Sequence, residues 1–331
     1  MSKPSASMPN PAQVASRLRA DAVQLPMLPS VLLRLSRLAP DQPSYFDDVR
    51  AIVHADPGIA VKLLRLANSA GGGALNTTPS IDMALIRVGA RSAVELMLAD
   101  QALQMFPARQ QWQRDLWVHS ILAAHYMRRM APMVIDAGID PEQAYLAGLL
   151  HDVGRFLMFT LLPEAFEVTE LAECEAGQDL LALELQTCGC THTHLAHLAM
   201  TRWGMAESLA LAARDHHRDE PGRDDCPSDA QAGALVSLLR DVDWLACRVA
   251  RDGPGWLEQS PAQFEALAAP NMRSRYRGDA AHRLSRLRSA TLEARSVLRA
   301  TGMEDPVWGA EAPPADASAS AASATARGAP A

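Results

Sequence analysis

At 331 residues, with 48% hydrophobic and 21% charged side chains, the chain has the composition of a soluble globular protein with a core of ordinary size. A formal net charge of −7 argues against nucleic-acid binding through a general basic field, and an aromatic content of 5% offers little for stacking on bases. The opening stretch "MSKPSASMPNPAQ" lacks the apolar centre of a signal peptide, and no apolar run approaches the ~20 residues that cross a bilayer. The expectation is a cytoplasmic protein with neither membrane nor nucleic-acid partner. Five cysteines (Cys174, Cys188, Cys190, Cys226, Cys247) form no framework, and Cys188-Gly189-Cys190 is too tight for a zinc knuckle or a redox pair, so they are read as reduced thiols.

In chain order, nearly every periodic segment predicts a helix. One runs from about Phe46 to Val53. Asp56 then caps a second, with Pro57 at its first position, where a missing N–H costs nothing. Ile59, Leu63, Leu66 and Ala67 recur on one apolar face, Asn68 and Ser69 close the helix, and "GGG" at 71–73 breaks the chain. Ser80 caps the next helix, with Ile81, Leu85 and Val88 on a stripe, Gly89 as its stop and a further helix through Leu103. Helices also fit 115–134, 142–152, 178–188, 192–203, 206–217 and 228–251, whereas alternating strand patterns are scarce. Residues 256–303 hold an arginine-rich amphipathic segment, read as a solvated helix face rather than a partner-binding helix. From Pro306 to Ala331 the composition collapses to Ala, Pro and Ser, too poor in apolar side chains to order itself. The fold class is therefore all-α.

Within this pattern "GLLHDVGRFLM" (148–158) seats His151 and Asp152 in an apolar run, where an unpaired charge costs several kcal/mol, roughly, unless paired or bound to metal. Of ten histidines, five join two aspartates in a series on or beside predicted helices: His119, His151-Asp152, His192, His216-His217 and Asp243. An imidazole nitrogen beside a carboxylate suits a divalent transition metal (Fe, Mn, Zn or Ni), and two such ions ~3.5–4 Å apart are the usual machinery for hydrolysing phosphate esters. Each residue has a plainer reading as well. His119 fits a satisfied core histidine, and His192 has rivals in His194 and His197. His216-His217 ends a helix, where positive charge is favoured, and Asp241 competes with Asp243.

The stretches "HSILAAHYM", "YLAGLLHDVGRFLM", "GCTHTHLAHLAMTRWGM" and "LAARDHH", in this order, resemble the HDOD family, the signalling branch of the HD phosphohydrolase superfamily. The N-terminal stretches "LPMLPSVLLRL" (25–35), "VHADPGIAVKLLRLANSA" (53–70) and "SIDMALIRVGARSAVELML" (80–98) are similar to that family's opening helices. The resemblance spans roughly residues 20–220 and implies an N-terminal helical bundle (20–108) packed on an HD-like five-helix core (109–220). A flexible lead (1–19), a C-terminal helical extension (221–305) and a disordered tail (306–331) lie outside it.

What the resemblance implies is a bacterial signal-transduction module acting through a protein partner or a small nucleotide ligand, with the superfamily's metal set carried onto His119, His151, Asp152, His192, His216, His217 and Asp243. The alternative is a metal-dependent phosphohydrolase or phosphodiesterase, in which Asp152 and the histidines hold the metal and Arg155 stabilises charge on the phosphoryl oxygens. Related cyclic di-GMP phosphodiesterases carry Gly-Tyr-Pro after the His-His pair. The corresponding stretch here, "HHRDEPGRDDCPSDA", has none, and Gly154-Arg155 stands where they have Gly-Lys. Both departures argue against cyclic di-GMP hydrolysis.

Overall fold

The structure of the protein, a computed structural model, describes residues 25–69, 78, 80–163, 180–218 and 230–303. The expected flexible lead, the glycine break at 71–73, Cys174, Cys226 and the Ala/Pro/Ser tail lie outside the described residues. Among those described, all regular structure is helical apart from an isolated antiparallel bridge between Val134 and Tyr276.

The N-terminal bundle comprises α1 (Ser30–Leu35), α2 (Tyr45–Ala55), α3 (Pro57–Ser69), α4 (Ile81–Val88) and α5 (Ala90–Met105). Asp56 caps α3 as its sequence position suggests, accepting from Gly58 N at 2.8 Å and Ile59 N at 3.2 Å. The stripe Ile59, Leu63, Leu66 and Ala67 is buried. Ser80 Oγ accepts from Met83 N at 3.2 Å, and α4 ends at Gly89, whose N–H donates to Leu85 O.

The core is built around α6 (Gln111–Met130), against which α7 (Pro141–Leu150), α12 (Ala230–Asp252) and α14 (Ala280–Thr301) all pack. The helix begins four residues before the expected 115 because Gln110 and Gln113 cap each other's backbone reciprocally, and a 3₁₀ turn at Ala131–Met133 replaces its expected last turn. The helix expected over 142–152 also differs. It stops at Leu150, and a separate α8 (Val153–Leu161) follows, which periodicity did not single out. His151 and Asp152 therefore form a corner between two helices, with Asp152 at φ −94°, ψ 11°. Then come α9 (Leu180–Cys188), α10 (His192–Arg202) and α11 (Glu207–Asp215), with α10 packing on α8 and α11, and α11 on α12.

The arginine-rich segment at 256–303 divides into a 3₁₀ turn (Pro254–Glu258), α13 (Pro261–Ala268) and α14. The solvated face accounts for only one side of α14. Its other side is core: Leu284, Leu287, Ala290, Ala294, Val297 and Leu298 are buried where α14 crosses α6 and reaches α3 and α5. Each buried Leu or Val contributes roughly 1.5–3 kcal/mol of transfer free energy, and the two alanines allow close approach. The arginines lie at the flanks, with Arg283 paired to Glu265 and Arg288 donating to Leu257 O at 2.7 Å.

An ionic chain ties α5, α6 and α14 together. Arg128 on α6 pairs with Glu95 on α5 and donates to Glu293 Oε2 on α14 at 3.0 Å, and Arg129 Nε donates to the same oxygen at 3.1 Å. Burial alone would raise the Glu293 carboxyl. His125, Arg129 and Arg128 outweigh burial and hold it down at about 2. With a pKa near 4.3 in the unfolded chain, this group stabilises the fold fully above that value and loses its contribution as pH falls through about 2. The side chain is 30% exposed, so solvent screening discounts the effect. Glu293→Gln is expected to cost about 1–2 kcal/mol at neutral pH and to flatten the loss of stability between roughly pH 4 and pH 2. Denaturant unfolding of both proteins across that range measures it.

Candidate metal centre

The corner at His151-Asp152 is the hub of a polar cluster that is buried except for the exposed His217 and the half-buried Asp243. His119 comes from the middle of α6, Asp152 from the start of α8, His192 from the first turn of α10, His216 and His217 from just beyond α11, and Asp243 from α12. His151 and His192 are fully buried, and His216, Asp152 and His119 are 2%, 5% and 7% exposed. Two close approaches assemble the cluster. Gly148 lets α7 lie on α6, since a Cβ there would stand 2.7 Å from the Ala123 carbonyl and from Ala124 Cα. Gly154 lets α8 meet α10, since a Cβ there would stand 1.8 Å from the His192 carbonyl oxygen.

The ligand atoms form two overlapping groups that share Asp152. Atoms of Asp152, His192, His216 and His217 lie within 4.8 Å of one another, as do those of His119, His151 and Asp152. Asp152 Oδ1 is 3.4 Å from His192 Nε2 and 3.6 Å from His216 Nε2, while Oδ2 is 3.4 Å from His151 Nε2 and 3.8 Å from His119 Nε2. Asp243 Oδ1 stands 3.0 Å from His119 Nε2 and 3.4 Å from His151 Nε2. Asp152 Oδ1, His192 Nε2 and His216 Nε2 are buried without a hydrogen-bond partner. Buried polar atoms ordinarily find partners, so three orphans converging on one point fit a cation.

The far sides of the rings are anchored, which fixes the tautomer that presents Nε2 inward. His151 Nδ1 faces Gly148 O at 2.8 Å and His216 Nδ1 faces Ala213 O at 2.8 Å. His192 Nδ1 lies 2.8–2.9 Å from both oxygens of Glu184, which also accepts from His192 N at 2.8 Å. Burial would raise the Asp152 carboxyl, but His151, His216 and His192 hold it well below the usual carboxylate range. Asp243 is likewise held down by His119 and His151 against burial. Reciprocally, His151 is raised against burial by Asp152 and Asp243. Nitrogen and carboxylate donors in this number suit one or two divalent transition metals, which would cross-link five helical elements or supply Lewis acidity.

The rivals left open by the sequence part company here. His194 Nδ1 contacts Thr191 Oγ1 at 3.0 Å and His197 Nδ1 faces Ala210 O at 3.2 Å, both away from the cluster. Asp241 accepts from Arg273 N at 2.5 Å, Ser274 N at 2.9 Å and Tyr276 OH at 2.6 Å, which organises the turn before α14. Arg155 is half-buried on the first turn of α8, its N–H donating to Asp152 O at 2.9 Å. Glu184 was missed by the sequence reading, although a lone acid in the apolar helix "LLALELQTC" is the signal that could have found it. A separate cleft of about 510 Å³, lined by residues including Arg37, Gln143, Met205 and Leu209, contains none of the His/Asp set.

Fold and cluster together define an all-helical domain with an inward-facing His/Asp constellation. The chain belongs to the HDOD family: the model of the HDOD domain matches residues 25–219. Asp243 lies beyond that match. Among solved structures it is similar to an HDOD domain protein of unknown function from Geobacter sulfurreducens, with a TM-score of 0.61, 20% identity, and 88% of this chain and 98% of that chain covered. A protein from Marinobacter aquaeolei VT8, provisionally named a signal transduction protein, gives a TM-score of 0.59 at 19% identity, covering 90% of this chain and 67% of that one. An uncharacterized protein of Treponema pallidum (strain Nichols) is 25% identical over 195 residues, 58% of this chain, and the match spans 37% of that protein's length. Among the described residues no helix is long and apolar enough to cross a membrane.

Gly154→Ala is expected to destabilise the fold by ~3 kcal/mol or more, since backbone rather than a mobile side-chain tip must give way. Thermal unfolding measures this. Glu184→Gln keeps the volume but weakens the support of His192, and metal affinity by competition with a chelator is expected to fall roughly 10–100-fold.

Proposed function

We propose that the protein is a bacterial signalling module whose His119, His151, Asp152, His192, His216, His217 and Asp243 hold a divalent transition metal, and that it works by presenting the metal-stiffened helical body to a signalling protein or a small nucleotide ligand. The observation that carries this reading is the burial of the converged donors: five of the seven residues are less than 9% exposed, on helices that belong to different parts of the core. A cation so enclosed is suited to bracing α6, α8, α10 and α12 against one another. The similarity to a protein provisionally named for signal transduction supports the same class of role. On the hydrolase reading, Asp152 and the imidazoles would hold the metal while Arg155 bound a phosphoryl oxygen.

Protein purified without added metal is expected to contain Fe, Mn, Zn or Ni by elemental analysis, and Asp152→Ala to lose it. Equal metal content in the two would retire the ligand assignment. Stripping the metal is expected to lower Tm by ~5 °C or more, from about 2.7 kcal/mol of linkage at a hundredfold excess over Kd. Turnover of bis(p-nitrophenyl) phosphate by the metal-loaded protein, abolished in Asp152→Ala, would replace the module reading with the hydrolase one.

A further inference from the structure

One imidazole of the cluster is supported differently from its neighbours. His151 and His216 turn Nδ1 to backbone carbonyls and His192 turns it to Glu184, but His119 Nδ1 faces Cys247 Sγ at 3.7 Å. Cys247 and Asp243 are four residues apart on α12 and so share one face of that helix. The sulfur, a carboxylate oxygen of Asp243 and a nitrogen of His119 all lie within 4.8 Å of one another. His119 and Asp243 already face the centre, while Cys247 is exposed. The group thus runs from the buried donors to solvent, along a line by which an ion could enter.

The 3.7 Å spacing is that of a sulfur–nitrogen hydrogen bond and is also compatible with two donors sharing one ion. Zinc–sulfur and zinc–nitrogen bonds of ~2.3 Å and ~2.05 Å at a tetrahedral angle set the two donors about 3.6 Å apart. The observed 3.7 Å from Sγ to His119 Nδ1 is close to that edge, and Asp243 Oδ1 stands 3.0 Å from the ring's other nitrogen, Nε2. We propose that Cys247, with His119 and Asp243, forms a thiolate-bearing outer position of the centre that takes a soft or borderline divalent ion such as zinc. On binding, the Cys247 S–H gives its proton to solvent, as does the His119 ring where both of its nitrogens are ligated, and a sulfur–metal bond forms, with no change of oxidation state. The inference rests on the metal-binding reading above and adds to it a sulfur donor from outside the HDOD-matched segment, biasing this position toward thiophilic ions.

Cobalt(II) is the probe, because thiolate ligation gives it a near-ultraviolet charge-transfer band that nitrogen and oxygen donors do not. Titration of the full chain with cobalt is expected to produce that band together with visible ligand-field bands. In Cys247→Ser the charge-transfer band is expected to vanish while the ligand-field bands persist; the exposed position on α12 keeps the fold intact, and Cys247→Ala serves as a second variant. Cobalt bound without the band in the wild-type protein would overturn the thiolate position and leave the nitrogen/oxygen centre standing. A band that survives in both variants would overturn it too, by placing the sulfur donor elsewhere. If the wild-type protein takes up no cobalt, the outer position and the metal-binding reading fall together.

Discussion

A carboxylate that is 5% exposed at the meeting point of several helices must be compensated or it would unfold the corner it sits on. Asp152 is that carboxylate, and the arrangement of the core follows from it. Three helices bring it an imidazole: α6 brings His119, α10 brings His192, and the end of α11 brings His216. The approaches are closer than side chains would allow, so glycine stands at both crossing points, Gly148 under α6 and Gly154 under α10. With the backbones this near, the rings have little freedom, and their outer nitrogens are tied to Gly148 O, Ala213 O and Glu184. The result is a set of inward-facing nitrogen and oxygen atoms held rigidly in place.

The side chains around Asp152 do not all come from the family-matched segment. Asp243 and Cys247 come from α12, beyond residue 219, and α12 is held between α6 and α11. Farther along, α14 buries an apolar face against α6 and pins it through Glu293 to Arg128 and Arg129. Because Arg128 also pairs with Glu95, the helix that carries His119 is fixed at its far end by both the N-terminal bundle and the extension. The His/Asp cluster and the N-terminal bundle thus meet on one helix.

Much was legible in the chain. The caps at Asp56 and Ser80, the apolar stripe of α3 and most helix positions follow from local rules that tertiary contacts had no reason to override. The polar pair inside "GLLHDVG" announced itself because its neighbours ask for burial. Other features were not legible, for identifiable reasons. The corner after Leu150 was not legible as a helix break, since the residues flanking the polar pair are buried on both sides and periodicity carries no break. The arginines of α14 dominate its composition and suggest a solvated face, while the alanines and leucines that pack on α6 are only a stripe.

What the sequence by itself determined is the helical class, the caps and the inventory of side chains able to ligate. Only the tertiary structure decided among near neighbours: Asp243 faces His119 while Asp241 holds a turn, and His192 enters the cluster while His194 and His197 do not. Residues two positions apart on a helix point about 200° apart, so a shift of two positions turns a side chain from the cluster to a separate structural bond. Which of them points inward is fixed by how the helices are rotated against each other, and that rotation is set by the summed packing of residues far apart in the chain.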